Sequence, residues 1–303
     1  MLSNRKIIYP NNLIKFAKKM GKVNAAIVNA GEIFPMESVH KAVQHNLINP
    51  TFIGNENDIK KYADKLKWDI SKYKIIDEKN ENSTAPIAAK LASDDKVKII
   101  VKGHIHTDIL MKAVLKRDLN LIGKKRLSHV WHMTLDSDDK PFIITDGVVN
   151  VLPKLEVKMH ILRNAVDFAR KIGINRPKVA ILSATEEVLE SVPSSIDADV
   201  ITKRAKEEKI NADVFGPLAF DNSVSKKSAV IKKIKNDVSG NADILLVPNV
   251  EAGNALVKMM IYFMGACAAG VVLGGKAPVV ITSRSDEAEA RFASIAAAVV
   301  ALN

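Results

Sequence analysis

Short apolar runs recur along this chain, and each breaks into a polar or glycine-bearing turn that opens a helical pattern. Val97-Lys98-Ile99-Ile100-Val101 runs into Lys102-Gly103-His104, Asp243-Ile244-Leu245-Leu246-Val247 into Pro248-Asn249, and Ala277-Pro278-Val279-Val280-Ile281 into Thr282-Ser283. Runs of this length with no polar alternation suit strands buried on both faces. Strands are predicted at 25–29, 51–54, 74–77, 97–102, 127–135, 142–145, 178–183, 214–218, 243–247, 269–273 and 279–282. Helices are predicted near 11–20, 36–46, 56–67, 84–92, 107–117, 155–172, 195–208, 223–235, 251–265 and 286–301. Strands and helices that alternate in this way imply an α/β fold with mainly parallel sheets and helices on both faces. In such folds ligands bind outside the carboxyl ends of the strands.

A chain of 303 residues exceeds the size at which single cores stop growing, so two domains are expected. The best boundary is Leu152-Pro153, where Asp146-Gly147-Val148-Val149-Asn150 closes a strand and Pro153 opens a long helix. Cys267 is the only cysteine, which excludes an internal disulfide and a cysteine-built metal site and fits a reducing cytoplasm. The N-terminus has no apolar core like that of a signal peptide, and the apolar stretch from Met259 to Leu273 is interrupted by glycines and too short for a membrane span. The net charge of +11 invites a nucleic-acid reading, but the lysines are scattered and only 5% of residues are aromatic. No nucleic acid and no membrane is expected as a partner. A small polyanion is the better match for the charge.

Five turns carry candidate chemistry. Thr282-Ser283-Arg284-Ser285-Asp286 gathers hydroxyls, a guanidinium and a carboxylate at a strand-to-helix turn. A helix starting near Ser285 or Asp286 would favour an anion there, with Arg284 as a bidentate clamp, Ser283 as an oxyanion donor and Asp286 as a general base. The structural alternative is that Ser285 or Asp286 only caps the helix and Arg284 is solvated. Lys102-Gly103-His104-Ile105-His106-Thr107-Asp108 is a second such turn. There His-x-His suggests a metal fragment without a third ligand, Thr107 is a plausible N-cap, and Lys112 follows on the helix. An anion-binding helix start fits better than a metal. Asn249, Glu251 and Asn254 share a third turn, Asp221 marks a fourth, and Asn150 stands at the end of the strand before the boundary. Each has a plain reading as a cap or turn residue. Cys267 reads as a small buried apolar residue.

The segments VKGHIHTDILMKAVL, FIITDGVVN, FGPLAFDNSVS, LLVPNVEAGN and APVVITSRSD occur in that order. Together they resemble the phosphate acetyl/butyryltransferase family, over about residues 97–303 and more weakly before. The likeness is nearest to the butyryltransferase branch and to the transferase half of proteins with an enoyl-CoA hydratase domain in front, a domain not expected here. The resemblance implies two α/β/α domains with an active-site cleft between them, like the isocitrate/isopropylmalate dehydrogenases. Residues 1–152 and about 275–303 would form the first and 153–274 the second. It also implies a homodimer or larger assembly, and reversible transfer of a short acyl group (acetyl or butyryl) between CoA and phosphate. Coenzyme A is then a substrate, with no permanently bound cofactor and no metal. Ser283 and Arg284 match the family's Ser-Arg pair. Asp286, the only aspartate that follows, stands for its base at a shorter spacing. Lys112 falls near the basic CoA contact of the acetyltransferase branch, as lysine rather than arginine. Substrate-binding roles are expected for Thr282, Lys112, His106, Asn150, Asp221, Asn249, Glu251 and Asn254. Two other readings remain: a non-catalytic CoA- or acyl-phosphate-binding protein, and a metal-dependent dehydrogenase of the same architecture. The second lacks clustered aspartates and a GxGxxG turn.

Overall fold

A computed structural model describes residues 2–123, 125–136, 140–283 and 285–302. The chain divides into two compact units. We call Asn4–Lys125, Leu135–Asp139 and Gly265–Asn303 the terminal unit, and Met1–Ser3, Arg126–Thr134 and Lys140–Met264 the middle unit. Leu152-Pro153 lies inside the middle unit, because the strand that precedes it is hydrogen-bonded to one that follows it.

The terminal unit has six strands, β1 (Val23–Val28), β2 (Ile48–Gly54), β3 (Lys74–Asp77), β4 (Ile99–Lys102), β10 (Cys267–Leu273) and β11 (Val279–Val280), in the order β3-β2-β1-β4-β11-β10. Every pair is parallel except β10 with β11. Helices α4 (Glu81–Ser93) and α5 (Thr107–Val114) pack together, and α4 lies on β1, β2 and β4. Helix α11 (Ala288–Ala301) packs on β10, β11 and β4 beside α1 (Asn11–Lys19) and α2 (Ile33–Gln44). β4 and β11 are buried along their whole length, as strands covered on both faces must be. From Ala290 to Val300 every residue of α11 is buried, so its apolar character runs all round the helix.

The middle unit has β5 (Ser128–Thr134), β6 (Phe142–Thr145), β7 (Lys178–Leu182), β8 (Asp213–Leu218) and β9 (Ile244–Leu246), in the order β5-β6-β9-β7-β8. Only the β5–β6 pair is antiparallel. Its helices are α6 (Leu155–Lys171), α7 (Pro193–Glu207), α8 (Phe220–Val224), α9 (Lys226–Ile231) and α10 (Val250–Met264). An α/β architecture on mainly parallel sheets is therefore what the alternating pattern builds.

The helix predicted over 223–235 is a correction: two short helices stand there. Ser225 is extended and its hydroxyl accepts from Ser228 N, capping α9 and breaking the continuity with α8. Beyond Ile231 the Asn236 side chain accepts from Val238 N and Ser239 N, which holds a loop. Helices α2 and α4 start three residues before their predicted starts, and Asn80 caps α4 by accepting from Asn82 N.

Two buried titratable groups follow from the strand positions. Burial pushes the Cys267 thiol up to about 12, with Glu289 and Asp286 adding to it, so the thiol stays neutral. On β5, burial takes His132 down to about 4. The folded chain then holds His132 neutral while the unfolded chain protonates it below about pH 6.5. Stability from this group is complete above that pH and is lost as pH falls toward 4, at roughly 1 kcal/mol per pH unit. Denaturant midpoints of wild type and His132→Gln between pH 7.5 and 4.5 check this; the variant should show the shallower slope, and identical slopes would refute it.

Candidate active site

In the terminal unit, β11 lies alongside β4 with Val279 opposite Ile100 and Val280 opposite Val101. The two strands run the same way, so the turns after Lys102 and after Ile281 leave from the same edge. The chain at Gly103 passes so close to β1 that a side chain there would collide with the backbone oxygens of Val28 and Asn29. Lys102 itself is buried at 3% exposure and donates from Nζ to the carbonyl of Thr282 at 3.2 Å.

The turn from Thr282 to Asp286 folds on itself. Asp286 Oδ2 accepts from Ser283 N at 2.7 Å, and Asp286 N donates back to Ser283 O at 3.1 Å. Ser283 Oγ lies 2.9 Å from Ser285 Oγ. Arg291, one turn into α11 and 3% exposed, donates from Nη2 to Ser283 O at 2.8 Å and from Nε to Asp286 O at 3.0 Å. Burial lowers the pKa of Arg291, opposed by the nearby Asp286 charge. Arg284 lies outside the described residues. The helix begins at Ala288 with Glu287 in the N-cap position, not at Ser285 or Asp286. Asp286 spends its carboxylate on the Ser283 amide three residues earlier, so the helix start moves on. The Thr282 hydroxyl is buried and has no hydrogen-bond partner among the described residues.

His106 occupies the N-cap position of α5, one residue before the expected Thr107; its amide donates to Glu81 Oε1 at 3.2 Å and its side chain makes no cap bond. Lys112 sits on the last turn of α5, where a cation suits the helix dipole, and pairs with Asp108 at 3.5 Å in full solvent.

In the middle unit the remaining candidates also collect at carboxyl ends of parallel strands. Asp146, just past β6, is 2% exposed. Its Oδ1 accepts from Val148 N at 2.9 Å and Val149 N at 3.0 Å, and its Oδ2 from His129 N at 3.0 Å and Asn150 Nδ2 at 2.7 Å. Burial pushes its carboxyl upward, against the pull of these four donors. Because both oxygens only accept, the arrangement suits the carboxylate. Asn150 also donates to Leu127 O, which commits its amide nitrogen to holding the loop.

Next to this loop, Asn249 Oδ1 accepts from Ala252 N at 2.9 Å and starts α10. Gly147 meets Gly253 backbone to backbone: a Cβ on Gly147 would stand 2.8 Å from Asn254 N and from the Gly253 carbonyl carbon. Asn254 Nδ2 reaches Gly147 O at 3.4 Å, while Glu251 and Asn254 are otherwise exposed. Asn150, Asn249 and Asn254 are thus brought together at the neighbouring ends of β6 and β9. Asp221 stands apart, beyond β8, half-exposed and 3.5 Å from Lys232 Nζ; that lysine also holds Glu186.

Comparison with known proteins gives these turns a family. The model of the family described as phosphate acetyl/butaryl transferase matches residues 81–299, which contain all five turns. The chain belongs to this family. A phosphate acetyltransferase from Rickettsia typhi is 38% identical over 93% of this chain and 82% of its own length. A phosphate butyryltransferase from Clostridium acetobutylicum is 34% identical, covering 95% of both. Among solved structures, a branched-chain phosphotransacylase from Enterococcus faecalis V583 superposes with TM-score 0.81 at 32% identity, over 92% of this chain and 99% of that one.

Three residues that hold these candidate turns within their own units do not stand out in the sequence. Lys102 carries a signal, since a charge that closes an apolar strand is unusual, but nothing local gives it a role. Asp146 stands at a strand end like many turn residues. Arg291 is hidden in an alanine-rich helix. Among the described residues no group of three or more His, Cys, Asp or Glu is placed to hold a metal ion, and no helix is long and apolar enough to cross a membrane.

The Asp146 cradle carries a prediction. Asp146→Asn would turn an NH2 group toward two N–H donors and should lower stability by about 2–3 kcal/mol. Equilibrium denaturation measures it; a loss below about 0.5 kcal/mol would mean that the cradle does not hold the loop.

Proposed function

We propose that the chain catalyses reversible transfer of a short acyl group between CoA and phosphate, acyl-CoA + phosphate giving acyl phosphate + CoA. The observation that carries this reading is the Thr282–Asp286 turn. It sets a hydroxyl and a carboxylate on one edge of a parallel sheet, over two buried cations, in a chain of the phosphate acetyl/butyryltransferase family. Relatives named for acetyl and for butyryl transfer both cover most of the chain, which supports a short acyl chain and leaves both lengths as substrates to assay.

In the direction of acyl-CoA synthesis, the Asp286 carboxylate takes the thiol proton of CoA. The thiolate sulfur attacks the acyl-phosphate carbonyl, and the Ser283 hydroxyl donates to the developing oxyanion. The tetrahedral species then expels phosphate, which Arg284 holds as a guanidinium fork. The buried, unpartnered Thr282 hydroxyl is a further donor for a phosphate oxygen. Asn150, Asp221, Asn249, Glu251, Asn254, His106 and Lys112 are assigned to substrate binding; the strand-end turns that hold Asn150, Asn249 and His106, and the helix starts of Glu251 and Asn254, support this, while Lys112 lies on the last turn of α5. Among them Asn150 serves its loop first. Bringing the two substrates together in order removes much of the entropic barrier.

The same reading puts the enzyme in the cytoplasm as a homodimer or larger homo-oligomer. Exposed Met259, Tyr262, Phe263 and Met264 on α10, beside Phe220 and Val224, support a second copy as their cover. Sedimentation as a monomer at micromolar concentration would remove that part.

The deciding assay follows release of CoA from acetyl-, propionyl- and butyryl-CoA, with and without phosphate or arsenate. Phosphate-dependent release is expected with at least one of them, and its absence with all three would overturn the assignment. Ser283→Ala should lower kcat by about 10²–10³. Arg284→Ala should raise the phosphate KM while CoA affinity stays near wild type, and Arg284→Lys should recover only part, because a point charge cannot reproduce the fork. Unchanged phosphate kinetics in a folded Arg284→Ala protein would refute the role of Arg284.

A further inference from the structure

Helix α11 is apolar on every side, yet it carries one charge into the core. Its buried residues from Ala290 to Val300 are alanine, phenylalanine, isoleucine and valine, apart from Arg291 and Ser294. Ser294 has a structural role, since its hydroxyl accepts from Gly270 N at 2.9 Å and ties the helix to β10. Arg291 has no comparable tie to the sheet. Its two described hydrogen bonds go to Ser283 O at 2.8 Å and Asp286 O at 3.0 Å, the first and last carbonyls of the Ser283–Asp286 turn. Its third nitrogen, Nη1, is buried with no hydrogen-bond partner among the described residues.

A buried guanidinium whose hydrogen bonds go to carbonyls, with the Asp286 charge nearby, is a costly way to gain stability, because an apolar side chain of similar length would avoid the cost of desolvation. The charge is retained where it does something an apolar residue cannot. A planar fork reaches two acceptors at a fixed spacing, and here those acceptors bracket the nucleophile-activating and oxyanion-stabilising residues. Holding both carbonyls fixes the backbone that carries the half-buried Ser283 and Asp286 side chains, whose own bonds run to Ser285 Oγ and to Ser283 N. From the other side Lys102 Nζ holds Thr282 O at 3.2 Å. Three carbonyls of one five-residue turn are thus drawn to two buried cations, and Arg291 spans the pair to which the chemistry is assigned.

We propose that Arg291 is a positioning residue for acyl transfer: its guanidinium fixes Ser283 and Asp286 in the geometry that the reaction requires, without touching substrate. The proposal rests on the roles assigned to Ser283 and Asp286 above. The geometric part stands or falls separately, because it concerns the order of the turn in the free protein.

The test uses Arg291→Met, Arg291→Lys and Arg291→Ala in the full-length protein, with melting curves as a folding control. Arg291→Met should melt close to wild type while kcat falls about 100-fold, the loss expected from a misplacement of about 1 Å. The KM for acyl-CoA should change less than about threefold. Arg291→Lys should fall between, since one ammonium cannot span both carbonyls. Guanidinium or methylguanidinium ions should restore part of the turnover of Arg291→Ala and none of that of Arg291→Met, whose side chain fills the space. In a cycle with Ser283→Ala, the Arg291→Met loss should largely disappear, because a positioning residue acts through its target. A folded Arg291→Met enzyme with wild-type kcat, or losses that add in the cycle, would overturn the proposal.

Amide hydrogen exchange reads the geometry without turnover. The Ser283 and Asp286 amides should lose protection in each variant while the β10 amides do not. Unchanged protection at both overturns positioning by Arg291 even in an active enzyme. Loss of protection there in the variants of a protein with no acyl-transfer activity would sink the functional assignment alone. If Arg291→Met and Arg291→Ala fail to fold, the lysine variant's exchange and kcat decide between the same outcomes.

Discussion

The parallel pairing of β11 with β4 is the constraint on which the terminal unit's candidate site depends. It is short, with Val279 against Ile100 and Val280 against Val101. Yet it sets two chain segments far apart in sequence to leave the sheet from one edge. Lys102 can reach Thr282 O only because both strands point the same way. Antiparallel pairing of β11 with β4 would send the Ser283 turn to the opposite edge. The neighbouring β10 does run antiparallel to β11, and a tight connection between them lets the chain enter the sheet beside β4 in the needed direction. Helix α11 then packs on β10, β11 and β4 together and locks the arrangement.

Polar groups at the strand ends are satisfied by different means in the two units. In the middle unit a buried carboxylate collects N–H donors: Asp146 accepts from three amides and one side chain and shapes the loop to Asn150. In the terminal unit buried cations collect carbonyls: Lys102 and Arg291 take those of Thr282, Ser283 and Asp286. The two devices are electrostatic mirror images. An anion that gathers amides leaves carbonyls for other partners, whereas cations that gather carbonyls leave the hydroxyls of Thr282 and Ser283 free of those carbonyls. The second suits a site that must receive phosphate and an acyl oxygen.

Strand positions are legible because their signal is local: an unbroken apolar run followed by a turn. All eleven expected strands correspond to observed ones. The 223–235 helix is not legible, because Ser225 competes for the backbone through a side-chain hydrogen bond, which hydropathy does not register. That a turn follows the last strand is legible from its residue types, although the helix begins later than expected, at Ala288. The turn's support is not. Arg291 looks like one polar residue in an amphipathic pattern, and only the burial of the whole helix shows that it points inward. Asp146 likewise needs the pairing of β5 with β6, which brings His129 N to its carboxylate, before its role can be seen. The plan of the sheets is thus written in short windows of sequence. The hydrogen bonds that aim the site join residues from separate windows.

The order of the chain has a consequence for how the protein is made. The terminal unit begins with β1, β2, β3 and β4, but β11, the neighbour of β4, arrives with the last twenty-five residues. While the ribosome synthesises the whole middle unit, the β4 edge lacks its β11 partner and the place of α11 is empty. The nascent chain therefore carries an unpaired, apolar strand edge for well over a hundred residues of synthesis, a state open to wrong pairing. The segment that closes this edge also carries Ser283, Asp286 and Arg291. Completion of the core and formation of the Ser283–Asp286 turn are one event, and a chain released early has neither.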